Sequence, residues 1–273
     1  MPNDIDDAFV AQYEREVKEA YQLKGSMLAR TVRRKPNVVG TTTTFQTVGK
    51  GVATTKARHG TITPMNVTHT PVTATMADWY AGDFVDKLDE AKINHDERRV
   101  LVNAGAYALG RKTDQLLAVV MNTTSNAIAH GSTAFTFSKI MSALEDLGDF
   151  DVFEGGRMYC VVGWNAWTDL LQISQFADAD FVGGDGLVFP DGVEAKRWLG
   201  TVWMPSTAVD TEKSGSTFLS FWYHEDSVGL GINASIVSDI TWQGTRQSHW
   251  VVNRMSQGAA LIDGNGCIEI GHQ

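Results

Sequence analysis

Between Pro36 and Ala77 the chain carries Lys50, Lys56 and Arg58 but no carboxylate, and few large apolar residues interrupt its threonines, valines and glycines. A segment of that composition has no core of its own, yet its β-branched residues favour extended chain. It is expected to run as two paired strands, with the Gly49-Lys50-Gly51 run as the hairpin tip. Limbs of about 20 residues would reach roughly 60 Å at about 3.3 Å per residue. An isolated hairpin is marginal in water, so this arm, spanning residues 31–77, is expected to rest on another subunit.

The neighbouring sequence has the opposite charge. Asp78, Asp83, Asp86, Asp89, Glu90, Asp96 and Glu97 outnumber Lys87 and Lys92 before the Arg98–Arg99 pair. If the arm reaches a second copy, Lys50, Lys56 and Arg58 are expected to meet carboxylates there, with Asp83, Asp86, Asp89 and Glu90 as the candidates. A long helix follows, expected from His95 to Asn122 with Leu109 and Leu116 buried. Val102, Leu109, Leu116 and Val120 form one stripe, and Leu101, Ala104, Ala108 and Val119 another. Two apolar stripes predict a helix packed between layers. Upstream, residues 4–23 read as an amphipathic helix with Phe9, Tyr13, Val17 and Tyr21 on one face, ended by Gly25.

Beyond the long helix, helices and strands alternate. "SKIMSALEDLGD" predicts a helix with Ile140, Leu144 and Leu147 inward, "RMYCVV" a strand, and "NAWTDLLQI" a helix with Asn165 as its cap. Strands are expected at "TVWMPS" and "FLSFWY", and the stretch from "DITWQG" to "GCIEI" reads as antiparallel strands with a "DGNG" turn.

A net charge of −9 argues against a protein whose main task is gripping phosphates. Cys160 and Cys267 sit in apolar contexts and read as buried free thiols. The acidic start offers no secretory h-region, and no apolar run is long enough to cross a membrane. Asp178, Asp180 and Asp185 in "QFADADFVGGDG" miss the calcium-loop pattern, since Val182 and Phe189 stand where oxygen ligands belong; a turn is the better reading. "GLGINA" (229–234) matches a dinucleotide pattern, but the sequence after it is strand-like and offers no helix N-terminus to a pyrophosphate. The seven histidines form no H-x-x-x-H pair. Nothing here asks for an enzyme, a metal or a cofactor.

Taken in order, four stretches carry a resemblance: "YAGDFVDKLDEAKINHDERRVLVNAGAYALGRKTDQLLAVV" (80–120), "DGVEAKRWLGTVWMPST" (191–207), "FLSFWYHEDSVGLGI" (218–232) and "GAALIDGNGCIEI" (258–270). Their order and spacing resemble the major capsid proteins of tailed bacteriophages, which share the Hong Kong 97-like fold. The resemblance implies an α+β fold with an N-terminal arm (1–30), an extended β-hairpin loop (31–77) and a peripheral domain with a spine helix (78–135). An axial domain (136–235) and closing peripheral strands (236–273) complete it.

The same resemblance implies a structural protein of the virion rather than an enzyme. Hexamers and pentamers of the chain would tile an icosahedral shell around double-stranded DNA, in the host bacterial cytoplasm and away from any membrane. Scaffolding, portal and decoration proteins are the further partners it allows. An encapsulin-like compartment shell has the same fold and holds an enzyme instead of DNA, and a small nucleotide-using enzyme is the remaining alternative. Some family members crosslink lysines of the extended loop, but no acid-and-asparagine pattern carries that chemistry onto Lys50 or Lys56.

Overall fold

In the computed structural model, which describes residues 25–90, 96–177, 196–212 and 217–273, one helix organises everything around it. The chain enters through a 3-10 turn at Leu28–Arg30 and strand β1 (Arg33–Lys35), then makes the hairpin β2 (Thr42–Val48) and β3 (His69–Thr75). Strand β4 (Ala77–Asp86) and a short helix α1 (Lys87–Glu90) lead to the long helix α2 (Glu97–Met121). Strand β5 (Ala127–Ile128), helix α3 (Phe137–Asp149), strand β6 (Met158–Val162), helix α4 (Trp164–Gln172) and the short α5 (Ser174–Ala177) follow. The remaining strands are β7 (Lys196–Trp198), β8 (Thr201–Pro205), β9 (Phe218–His224), β10 (Val228–Gln243), β11 (Ser248–Leu261) and β12 (Cys267–His272). The helix expected at 4–23, His95, and the aspartates 178, 180 and 185 lie outside the described residues.

Helix α2 is unbroken over 25 residues, and Asp96 caps it by accepting from the Arg99 N–H. Its buried stripe differs from the expected one. Gly105, Leu109, Gly110, Thr113, Asp114, Leu117, Ala118 and Met121 face inward, whereas Leu116 is half-buried and Val119 is exposed. The helix therefore buries one stripe within the subunit, not two. Polar and glycine positions on that stripe hide it from an apolar count, and each has a partner. Thr113 donates to Gln257 Oε1 at 2.9 Å, and a side chain at Gly105 would collide with the Asn253 amide. The Asp114 carboxylate takes the Ser26 hydroxyl and, at 3.0 Å each, the backbone N–H groups of Met27 and Leu28. Burial pushes this carboxyl above its ordinary range, while the three donors pull it back down. The incoming chain passes so close that a Cβ at Gly110 would lie 2.6 Å from the Gly25 carbonyl carbon.

A six-stranded sheet in the order β5-β12-β9-β6-β8-β7 is buried on both faces. Along β6, Met158, Cys160 and Val162 point one way, into a core with α3 and α4 that holds Trp167, Trp203 and Trp222. Val161, Phe221, Tyr223 and Cys267 point the other way, toward Leu117, Ala118 and Met121 of α2. Two covered faces explain why "FLSFWY" reads as a continuous apolar run instead of an alternating one. Both cysteines are free and buried, as expected, and burial raises their thiol pKa values.

A four-stranded sheet in the order β1-β10-β11-β4 carries α2 on one face, and the hairpin β2–β3 forms the third unit. Three expectations need correction here. The hairpin ladder runs only from Thr42↔Thr75 to Val48↔His69, because β1 leaves the arm to pair in parallel with Gly229–Gly231 of β10. The turn is not Gly49-Lys50-Gly51; residues 49–68 form a broad loop, closed at its base by Gly49 N–H to Thr68 O at 2.8 Å. Asn165 is not a cap, since Gly163 holds the N-cap position of α4. The antiparallel strands and the "DGNG" turn are present, and the closing residues pass between two sheets. "DGNG" ends in a 3-10 turn, Gly264–Gly266, that carries the chain from β11 into β12, and β12 enters the six-stranded sheet between β5 and β9. Apolar strands that alternate alike give no signal of which sheet they join.

His272 in β12 shows how tightly that strand is held. Its ring stacks on Phe218 and meets the edge of Phe135, and its Nε2 lies 3.1 Å from the Ser220 hydroxyl. Burial, and after it the Lys139 ammonium, push the imidazole down to about 4. Lys139 is itself spent on the carbonyls of His130, Thr133 and Gly271. Because the folded value lies below the unfolded one, the neutral ring contributes stability above about pH 6.5, which is lost as pH falls through 6.5 toward 4. The expected loss at pH 4 is about 2–3 kcal/mol. Urea unfolding between pH 7 and 4 should show it, and His272→Phe should flatten that part of the curve. An unchanged slope in the variant would remove His272 as its source.

Candidate inter-subunit surface

The hairpin is seated on glycines. A Cβ at Gly229 would lie 2.7 Å from the Phe45 ring, one at Gly231 would lie 2.7 Å from the Thr43 methyl, and one at Gly258 would lie 2.2 Å from the Thr75 carbonyl oxygen. Gly231 and Gly258 are cross-strand partners, so they make a flat floor across β10 and β11. Phe45 and Ala74 drop onto it beside Ala260 and Ile262, with Val72 and Met76 closing the sides. The two glycines of "GLGINA" are accounted for by this close approach, and the sequence after them is strand, as expected. Gly258 was not singled out in the sequence. A glycine inside a strand pattern is the signal that marks it.

From the floor the ladder runs toward the Ser227 end of β10, and the broad loop extends past it. Val52, Ile62 and Met65 on that loop are 74%, 70% and 57% exposed. Lys50 does not reach away from its own chain. Its ammonium donates to the Phe150 carbonyl at 2.7 Å and to Asp151 Oδ2 at 2.8 Å, and this pairing holds the Asp151 carboxyl below its ordinary range. Lys56 and Arg58 are exposed and have no ion pair among the described residues.

The acidic residues lie at the opposite end of the four-stranded sheet. Asp83 is exposed and accepts from the Phe84 N–H at 2.7 Å, and Asp86 accepts from the Leu88 N–H at 2.7 Å, capping α1. Asp89 is exposed on α1, and Glu90 ends that helix with its side chain outside the described residues. The Phe84 and Trp250 rings lie 4.3 Å apart at a tilt of 41°, Arg246 lies 4.5 Å over the Phe84 ring, and Tyr80 and Val237 stand 68% and 44% exposed on the same face. Gly229 under the hairpin and Trp242 at the acidic end are thirteen positions apart on β10, about 40 Å at 3.3 Å per residue. One chain does not bring its basic loop and its acidic segment together.

A second charged group lies at the hairpin foot. Arg157 pairs with Asp226 at 2.6 Å, Glu154 at 3.4 Å and Glu225 at 3.5 Å, and Glu154 also meets His224. The carboxylates raise the guanidinium pKa and leave it wholly charged. His224 and Asp226 line a cavity of about 230 Å³ together with Arg33, Val48 and Asp263. No three His, Cys, Asp or Glu among the described residues are grouped to share a metal ion, and no described helix is long and apolar enough to cross a membrane.

The comparisons with known proteins bear on the whole architecture. A family model described as phage capsid protein matches residues 5–273. A chain from Mycobacterium phage Che8 is 17% identical and superposes with a TM-score of 0.74, over 96% of this chain and 97% of the other. The capsid of cyanophage P-SCSP1u gives 17% identity and 0.72, over 98% and 94%. A virus-like particle from Pyrococcus furiosus gives 8% and 0.61, over 90% and 92%. No curated protein matches by sequence. The fold is Hong Kong 97-like, and since the family match runs through the hairpin, the long helix, both sheets and β12, the chain belongs to the phage capsid protein family and is a major capsid shell subunit.

Proposed function

We propose that the subunit builds its shell by laying the hairpin loop of each copy over the acidic end of the next. The observation that carries this is the separation of the two surfaces. The loop with Lys56, Arg58 and its exposed Val52, Ile62 and Met65 extends past the Gly229 end of β10, whereas Asp83, Asp86, Asp89 and Glu90 lie toward its Trp242 end, about 40 Å along the strand from Gly229. Two different patches joining head to tail form rings where the rotation between copies closes, which suits hexamers and pentamers of an icosahedral shell around double-stranded DNA assembled in a host bacterium. Within residues 31–77 the hairpin β2–β3 and its loop serve as the extended loop, α2 and the four-stranded sheet with β1 as the peripheral domain, and the six-stranded sheet with α3 and α4 as the axial domain. Lys50 acts first within its own chain, orienting the loop through Asp151. No catalytic step is assigned to any residue.

Each exposed pair contributes only about 0–1 kcal/mol, but every copy repeats it. The double variant Lys56→Glu/Arg58→Glu is expected to fold normally and to lower shell yield by about tenfold near 0.1 M salt, a loss matching about 1.4 kcal/mol per contact. Raising salt to about 0.5 M should weaken the wild-type shell in the same direction. Light scattering and electron microscopy read both. Normal yield and unchanged salt response in the variant would show that the loop holds its neighbour without these charges. Purified particles should contain DNA; an enzyme cargo in its place would favour the compartment reading.

A further inference from the structure

Strand β4 lies at the end of its sheet, and its ladder with β11 has a definite parity. The Lys87 N–H continues that ladder by donating to Gln247 O at 3.2 Å, so odd-numbered positions bond inward. The Phe84 N–H goes instead to the Asp83 carboxylate. Even-numbered positions therefore point their backbone groups outward, and at Asp78, Tyr80 and Gly82 no described group receives them. All three residues are exposed. Such an edge is a template for another strand, and its acids Asp78, Asp83 and Asp86 select for a basic one.

The hairpin loop offers a matching segment. Residues 51–57, "GVATTKA", are exposed throughout, contain no proline, and apart from Lys56 consist of small and β-branched residues. They carry no ladder of their own, and the leg ends in a turn where the Gly60 N–H meets Ala57 O at 2.9 Å. Lys56 and the adjoining Arg58 give it positive charge against the acidic edge. The leg of the same chain is held at the far end of the sheet by Lys50 and Asp151, so its partner is a second copy.

We infer that β4 takes residues 51–57 of a second copy's hairpin loop as an added strand, giving the inter-subunit contact continuous main-chain hydrogen bonds. This rests on the head-to-tail reading above and goes beyond it, because charge contact alone needs no such bonds. Strand addition draws affinity from backbone groups and register from alternate side chains, so Val52 and Lys56 would meet the face of Tyr80 and Phe84.

Two measurements test it. In wild-type shells, hydrogen exchange at the amides of Tyr80 and Gly82 and at every second amide of residues 52–57 is expected to slow by about 100-fold or more relative to free subunits. Tyr80→Pro removes one outward N–H and leaves the inward ladder intact, while Tyr80→Ala removes the ring and keeps the N–H. The proline variant should lose shell yield by about tenfold and the alanine variant should not, at matched subunit melting temperatures. Free exchange of those amides in intact shells, or equal assembly of the two variants, overturns strand addition. If Lys56→Glu/Arg58→Glu still blocks assembly in that case, the head-to-tail reading stands and only the added strand is lost. If the proline variant does not fold, the wild-type exchange pattern alone decides.

Discussion

Gly258→Val subunits are expected to fold and yet form no shells. The new Cβ would stand 2.2 Å from the Thr75 carbonyl oxygen and 2.8 Å from its carbon, both backbone atoms that no rotamer moves aside. Overpacking of this kind costs about 1–3 kcal/mol where side chains can yield. Here the whole hairpin must lift from its floor, and the small cluster of Phe45, Ala74, Ala260 and Ile262 opens with it. None of these four residues belongs to the six-stranded sheet, so tryptophan fluorescence from Trp203 and Trp222 should stay native while the particle peak vanishes from gel filtration. Gly229→Val presses on a ring and on the end of Ile262, which can shift, and should do less harm. Normal particles from Gly258→Val would mean that the hairpin need not be seated for assembly.

Asp114→Ala should give the largest loss of stability among single polar changes on α2, about 3 kcal/mol in urea unfolding. It strands the Met27 and Leu28 N–H groups and the Ser26 hydroxyl in a site where Leu28 is wholly buried. Asp114→Asn keeps one acceptor oxygen and should lose about half as much. The carboxyl titrates above the ordinary value, so its ionised form is disfavoured by the fold. Acidification through its folded pKa therefore adds stability at this group, opposite in sign to His272, and the two variants should separate the contributions. Equal melting of wild type and Asp114→Ala would show that the entering chain is held by packing of Leu28 and Val32 alone.

The long helix and the paired strands of the arm were legible in the sequence because each is a matter of composition over many residues, but the ladder expected to rest on another subunit is seated on β10 and β11 of its own chain. What failed was finer. Leu116 looked buried because apolar residues recur around it, but α2 turns Thr113 and Asp114 inward, where each has a dedicated partner, and Leu117 takes the core position. The limb length was overestimated because the loop at 49–68 has the same threonine and valine content as the ladder; the difference lies in the glycine floor beneath one and the open space beneath the other. Lys50 pairs within its own chain with Asp151, a hundred residues later and at a positive φ of 56°, a partner for which the sequence has no local signal. The aspartate loop lies outside the described residues, so its reading as a turn rests on the sequence alone.

The position of β12 also sets an order of events. Its neighbours are β5, more than a hundred residues earlier, and β9, which it meets through the register from Cys267↔Tyr223 to His272↔Phe218. Until this strand arrives, β5 has no partner in the sheet and β9 keeps one edge open. Pairings between such distant segments form slowly, since the closing of large loops must come before their reward. A nascent subunit thus emerges with its spine, hairpin and acidic strand already synthesised while its largest sheet is still incomplete. Folding of that sheet waits for residue 272, so a shell that nucleated on unfinished subunits would inherit open edges prone to aggregation. Closure of the monomer's largest sheet thus comes after the rest of the chain has been made.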